Sequence, residues 1–212
     1  MTTTSRRTTS SPMSLLLPRM KSTISLMESI LFGHEKGAFT GAESRQEGRV
    51  QLAHKGTLFL DEVGELGLEA QKRFLRFLSS KSFYPLEAKK EVGSDFRLVA
   101  ATNRDPEKEV EEGRFRQDLY YRICGQRIHL PPLRERPEDI RELAYFQMEK
   151  ICQRMQIKPK KIYPEFLEAL DSYDWPGNVR ELISTLDTAI SAYPDAPALH
   201  PRHLPARIRM GL

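Results

Sequence analysis

The stretch Gly56-Thr57-Leu58-Phe59-Leu60-Asp61-Glu62 decides the fold. Its short apolar run, opened by a glycine, reads as a buried β-strand rather than a helix. The run stops at two adjacent carboxylates, Asp61 and Glu62. Paired acids at the carboxyl end of a buried parallel strand suit two tasks: a water-mediated hold on Mg²⁺, and polarisation of a water for attack on a phosphate. Acids after a strand also serve as ordinary helix N-caps, so the pair alone leaves both readings open.

Outward from this strand the pattern is that of an α/β core. A helix follows, with Leu68, Phe74, Leu75 and Leu78 expected on one buried face. Phe96-Arg97-Leu98-Val99-Ala100-Ala101 reads as a second buried strand and ends in Thr102-Asn103. These polar side chains at a neighbouring strand tip are placed to sense a phosphate, whereas the plain alternative for Asn103 is a turn residue before Arg104-Asp105. Pro106 to Glu112 reads as a short helix, and Pro131-Pro132 breaks the chain. Beyond it helices are expected over Pro137–Met155, Tyr163–Ser172 and Asn178–Ala192, an all-helical second part. Strands alternating with helices, then helices alone, place a parallel sheet in the first part.

Upstream, Gly37-Ala38-Phe39-Thr40-Gly41-Ala42 sets one aromatic among small residues with neither strand nor helix period. A loop that exposes Phe39 and Thr40 at its tip is expected, its glycines permitting left-handed turns. Gly113-Arg114-Phe115-Arg116-Gln117-Asp118-Leu119-Tyr120-Tyr121-Arg122 carries three arginines beside aromatics. Planar guanidinium groups suit phosphate charge supplied across a subunit interface. Pairing with Asp118 or nearby glutamates is the competing account. Arg180 opens a helix after the turn Trp175-Pro176-Gly177, and Trp175 reads as an anchor in a core or interface.

Composition narrows the classes. Apolar residues make up 39% and charged residues 29% of 212, and no apolar run reaches the roughly 18 residues of a membrane span. The net charge of +4 is spread along the chain, which gives nucleic-acid binding by bulk charge little support. Cys124 and Cys152 lack metal or redox spacing and read as packed thiols of a reducing cytosol. Residues 1–27 contain no acid and begin with a Ser/Thr-rich, Arg-containing stretch, expected to be disordered. The expected division is 1–27, a core over 28–132, a helical domain over 133–196 and a tail over 197–212.

Together and in this order, these segments resemble the central domain of bacterial enhancer-binding proteins, the AAA+ ATPases that activate sigma-54 RNA polymerase. The resemblance runs from about Glu28 to Leu204. It implies a partial P-loop AAA+ α/β core followed by a helical lid, in a cytoplasmic protein that assembles as a ring. It implies that Gly37, Ala38, Phe39, Thr40, Gly41 and Ala42 (GAFTGA) contact sigma-54. Asp61 and Glu62 match that family's Walker B acids, with Mg²⁺ held by Asp61 through water. Thr102 and Asn103 fall at sensor I, Arg116 and Arg122 match the trans-acting arginine fingers, and Arg180 matches sensor II. ATP is the implied cofactor, and the partners are sigma-54 RNA polymerase holoenzyme and further copies or intact relatives.

The sequence departs from that pattern. No GxxxxGK[ST] segment precedes GAFTGA. Without that backbone cradle and its lysine, nucleotide binding is expected to be weak. No regulatory or DNA-binding domain is expected within these residues. The alternatives to an ATP-driven activator domain are a non-enzymatic short form that docks on sigma-54 or poisons rings of intact relatives, and a non-functional gene fragment.

Overall fold

The computed structural model describes residues 13–15 and 24–209. The chain divides into two compact units, Met1–Arg127 and Ile128–Leu212.

The first unit opens with β1 (Met13–Leu15) and α1 (Ile24–Phe32), both inside the stretch expected to be disordered or reaching into it. The remaining positions of 1–27 lie outside the described residues. A hairpin follows, β2 (Gly33–His34) antiparallel to β3 (Gln46–Glu47), then the single turn α2 (Arg49–Leu52). The strand anticipated at GTLFL is β4 (Thr57–Leu60). After a 3-10 turn at Val63–Glu65 comes α3 (Leu68–Ser80). The small antiparallel pair β5 (Ser82–Phe83) and β6 (Val92–Gly93) leads into β7 (Arg97–Ala100), and α4 (Pro106–Glu111) and α5 (Gln117–Ile123) complete the unit.

The sheet is parallel in the order β1-β4-β7, with Leu58 opposite Leu98 and Leu60 opposite Ala100. Leu58 and Leu60 point to the same side because side chains alternate along a strand, and both are fully buried. They meet Phe74 and Phe77 of α3 and Leu31 and Phe32 of α1 in one core. Phe77 stacks on Phe96 at 5.4 Å and meets Phe83 edge-on at 5.7 Å. Each such buried side chain contributes about 1.5–3 kcal/mol relative to exposure.

Two expectations change here. Leu68 is exposed, and the buried face of α3 runs through Ala70, Gln71, Phe74, Phe77 and Leu78. That spacing of three to four keeps a face on the core, and Leu68 at the first turn falls off it. Strand β7 forms, but Arg97, Val99 and Ala100 are exposed, with Val99 at 40%. Among the described residues it pairs with β4 alone, so it stands there as an edge rather than a buried strand.

The second unit comprises α6 (Pro137–Arg154), β8 (Lys161–Ile162), α7 (Pro164–Asp171), α8 (Asn178–Ala192), β9 (Ala198–Leu199) and α9 (Ala206–Arg209). Proline fills the first position of α6 and α7, where its missing N–H costs nothing. Ile140, Ala144, Met148, Ile151 and Cys152 of α6 pack with Phe166 and Leu170 of α7 and Leu182, Leu186 and Ile190 of α8. Trp175 is fully buried there and donates its indole N–H to the Leu170 carbonyl at 2.8 Å.

This unit is not purely helical, because β8 and β9 pair in parallel. The expected tail is part of the core: Leu199, Leu204 and Ile208 are buried, and the buried Lys160 ammonium donates to the carbonyls of Tyr193, Pro194 and Ala196. A cation capping three carbonyls fixes the chain that returns after α8. Of the cysteines, Cys152 is packed as expected, whereas Cys124 is exposed just past the end of α5. Among the described residues no helix is long and apolar enough to cross a membrane.

Candidate functional site

In parallel α/β sheets, ligand-binding groups gather at the carboxyl ends of the strands. The tips of β4 and β7 lie side by side, laced by the Ala101 N–H to the Leu60 carbonyl at 2.8 Å and the Val63 N–H to the Ala101 carbonyl at 2.9 Å. Asp61 and Glu62 follow β4, and Thr102 and Asn103 follow β7, so the four expected residues share one end of the sheet.

Glu62 adopts a left-handed backbone, φ 55°, ψ 47°. A non-glycine residue there is strained, and such strain gathers at sites that need a side chain aimed in one direction. Here the carboxylate reaches the next strand, where Oε2 accepts the Asn103 N–H at 3.2 Å. Asp61 Oδ1 accepts the Glu62 N–H at 3.1 Å. Both acids are half-buried. The Thr102 hydroxyl accepts the Arg104 N–H at 3.2 Å, an ST-turn that shapes the β7 tip.

The arginines are held by neighbours in the same chain. Arg116 caps α5, and its Nε and terminal nitrogen bind both oxygens of Asp118 at 3.0 and 2.7 Å. That bidentate pair raises the Arg116 pKa and lowers that of Asp118. Arg122 is exposed and donates to the Leu78 carbonyl at 3.0 Å. In the second unit, Arg180 stands exposed in the first turn of α8.

The GAFTGA loop is tied at its neck, where the Gly37 N–H donates to the Ala42 carbonyl at 2.9 Å. Gly37 and Gly41 take φ of 86° and 100°, conformations that glycine adopts without strain. Gly37, Thr40 and Gly41 are exposed, Ala38 is half-buried and Ala42 is buried. Phe39 departs from the expected free tip: it is half-buried, its ring edge-on to His34 with centroids 4.9 Å apart. Only Thr40 of the pair stands clear. An apolar ring next to a buried imidazole loses less by packing than by facing water.

Three features escaped the sequence reading. His34 is buried and its Nδ1 lies 2.7 Å from the Ser29 hydroxyl. Gln71 is fully buried; its amide donates to the Leu66 and Arg114 carbonyls at 2.6 and 3.0 Å, and its oxygen accepts the Arg116 N–H at 2.8 Å. A glutamine between Ala70 and Phe74 on the buried face of a helix was the available signal. Third, Arg104 binds Glu65 at 2.5 Å and Glu109 at 3.0 Å.

Residues 4–129 match the sigma-54 interaction domain, and residues 134–211 match the AAA+ ATPase lid domain. The first match begins well upstream of Glu28, where the resemblance was expected to start. The chain is 51% identical over 165 residues to the formate hydrogenlyase transcriptional activator FhlA of Escherichia coli, covering 78% of this chain and 24% of that protein. It is 48% identical over 160 residues to the DNA-binding transcriptional regulator NtrC of Salmonella typhimurium, 76% of this chain and 34% of that one. It thus spans about a quarter to a third of these relatives. A crystal structure of NtrX from Brucella abortus in complex with ATP superposes with a TM-score of 0.83 at 32% identity, over 93% of this chain and 43% of that one. With the two matches covering the α/β unit and the helical unit in turn, the chain belongs to the sigma-54 interaction domain family of AAA+ proteins.

Proposed function

We propose that this chain is an activator domain that couples ATP binding and hydrolysis to remodelling of the sigma-54 RNA polymerase closed complex, with hydrolysis weak when the chain acts alone. The observation that carries the proposal is the pair of carboxylates at the β4 tip, one of them bonded to the backbone of Asn103 at the neighbouring tip. The donor set suits a hydrated divalent cation: Asp61 engages Glu62 through Oδ1, which leaves Oδ2 to bind a metal-bound water. Mg·ATP would supply the phosphoryl group to be transferred to water. In this reading Glu62 orients the attacking water, Thr102 and Asn103 report the phosphate to the sheet, and Arg180 is a nucleotide-binding residue, as the match to sensor II implies. Arg116 and Arg122 serve a neighbouring copy's nucleotide, for which Arg116 must leave Asp118. Thr40 and a released Phe39 engage sigma-54.

No GxxxxGK[ST] segment lies within residues 1–212 to cradle the phosphates. That favours a second reading, a subunit that lends its arginines and its loop to intact relatives while binding nucleotide poorly itself.

Equilibrium binding of a fluorescent ATP analogue with Mg²⁺, run beside Asp61→Ala, tests the first reading. Micromolar binding that weakens in the variant supports it. No binding into the millimolar range, or binding indifferent to Asp61, removes the nucleotide half of the proposal. Mixing the chain with an intact relative tests the second reading; ATPase activity unchanged at excess chain counts against it.

A further inference from the structure

A chain of charged contacts runs from the strand tips to the arginine-bearing turn. The Asn103 N–H binds Glu62, and the next residue, Arg104, grips Glu65 with one guanidinium nitrogen and Glu109 Oε2 with another. Glu109 lies on α4, its side chain only 8% exposed. From the other side Arg114 binds the same carboxylate through two nitrogens, 2.9 Å to Oε2 and 2.7 Å to Oε1, and also pairs with Glu112. The backbone completes the circuit: the Arg114 and Phe115 N–H groups donate to the Glu109 carbonyl, and Gln71 holds the Arg114 carbonyl and the Arg116 N–H.

Among the described residues, Glu109 is therefore the one carboxylate clamped by both Arg104 and Arg114. A nearly buried carboxylate held by two guanidinium groups is fixed from two sides, because releasing either arginine removes charge-assisted hydrogen bonds from oxygens that have little access to water. Three donors from fixed directions also set the angle at which the two arginines stand.

We propose that Glu109 is a positioning residue that ties the Thr102–Arg104 end of β7 to the turn carrying Arg114 and Arg116, holding Arg116 in register with Glu62 within one chain. The inference rests on the reading of Glu62 and Arg116 as parts of nucleotide sites. In a ring each copy would then carry a rigid strut between the acid serving its own site and the arginine serving the next.

The test is a double-mutant cycle read by NMR on the full chain without nucleotide. Arg114→Gln is made in the native chain and in Glu109→Gln, and the Asn103 amide resonance is followed. Arg104→Gln is made in the same two backgrounds, and the Arg116 amide and Nε–H resonances are followed. The proposal expects each distant resonance to shift when Glu109 is present and to stay unmoved when it is glutamine. Equal shifts in both backgrounds, or shifts in neither, overturn it. Glu111→Gln, on the exposed side of α4, should move none of these resonances. Should Glu109→Gln fail to fold by circular dichroism, Glu109→Asp replaces it, and the shorter reach should reduce both shifts. Because no nucleotide is present, failure of ATP binding leaves this result standing, and failure of the cycle leaves the ATP reading standing.

Discussion

Phe39 lies edge-on against His34, ring centroids 4.9 Å apart at 66°, and His34 is itself buried and bonded to Ser29. The loop tip is thus moored to α1 through one imidazole. His34→Ala should free the Phe39 ring, seen as a change in its NMR ring resonances. It should also cost about 1–3 kcal/mol in urea unfolding, because the Ser29 hydroxyl loses its buried partner. His34→Phe should keep the Phe39 resonances near their native positions while losing the Ser29 bond. Native-like Phe39 resonances in His34→Ala would refute the mooring.

The hairpin that carries the loop depends on two glycines at its base. A Cβ on Gly33, where φ is 77°, would fall 2.5 Å from the Gln46 carbonyl oxygen, and one on Gly48 would fall 2.2 Å from the Phe32 carbonyl carbon. Nothing lies within 4 Å of a Cβ on Gly37 or Gly41, where only the positive φ opposes a side chain. Gly37→Ala and Gly41→Ala should each cost about 1–2 kcal/mol. Gly33→Ala and Gly48→Ala should cost more, since backbone must move as well. Guanidinium unfolding of the four variants checks the order, and equal losses would contradict it.

Gln71 satisfies three backbone groups from a fully buried position. Gln71→Leu keeps the volume and strands two carbonyls and one N–H, so a loss of about 2–4 kcal/mol is expected from the cost of unpaired buried groups. Amide exchange at Arg116 should accelerate beyond the global loss. A variant with unchanged exchange there would show that the turn holds without Gln71.

Acid should weaken the first unit through Glu109. Arg114, then Arg104, hold its pKa at about 2 against the opposing effect of burial. A carboxylate whose folded pKa lies below its unfolded value contributes stability above the unfolded pKa and loses it as pH falls through the folded one. Stability should therefore decline between the ordinary carboxylate range and pH about 2. Glu109→Gln should flatten that slope in a urea series over this range. A slope identical in native chain and variant would contradict the assignment.

Much of the architecture was legible because it is periodic. Three apolar residues ending in two acids made β4, and apolar spacing, with proline starts for α6 and α7, placed α6, α7 and α8 within a residue or two of their observed bounds. The ordered motifs also pointed to the family that the matches over 4–129 and 134–211 bear out. Such signals are local, since strand and helix periods depend only on neighbours within one element.

What the tertiary structure alone decided joins residues far apart in the chain. Gln71 meets Arg114 and Arg116 across 43 and 45 positions, and Glu62 meets Asn103 across 41. The exposure of β7 follows from which strands flank it, a property of the sheet and not of the stretch from Phe96 to Ala101. Phe39 looked free because its sequence neighbours are small, but the hairpin folds it onto His34. Arg116 likewise carries the guanidinium expected of it, while Asp118 holds that group within its own chain. Sequence determined the elements and the chemistry they carry; packing, which no local period encodes, determined which of those groups meet and which stand open to a partner.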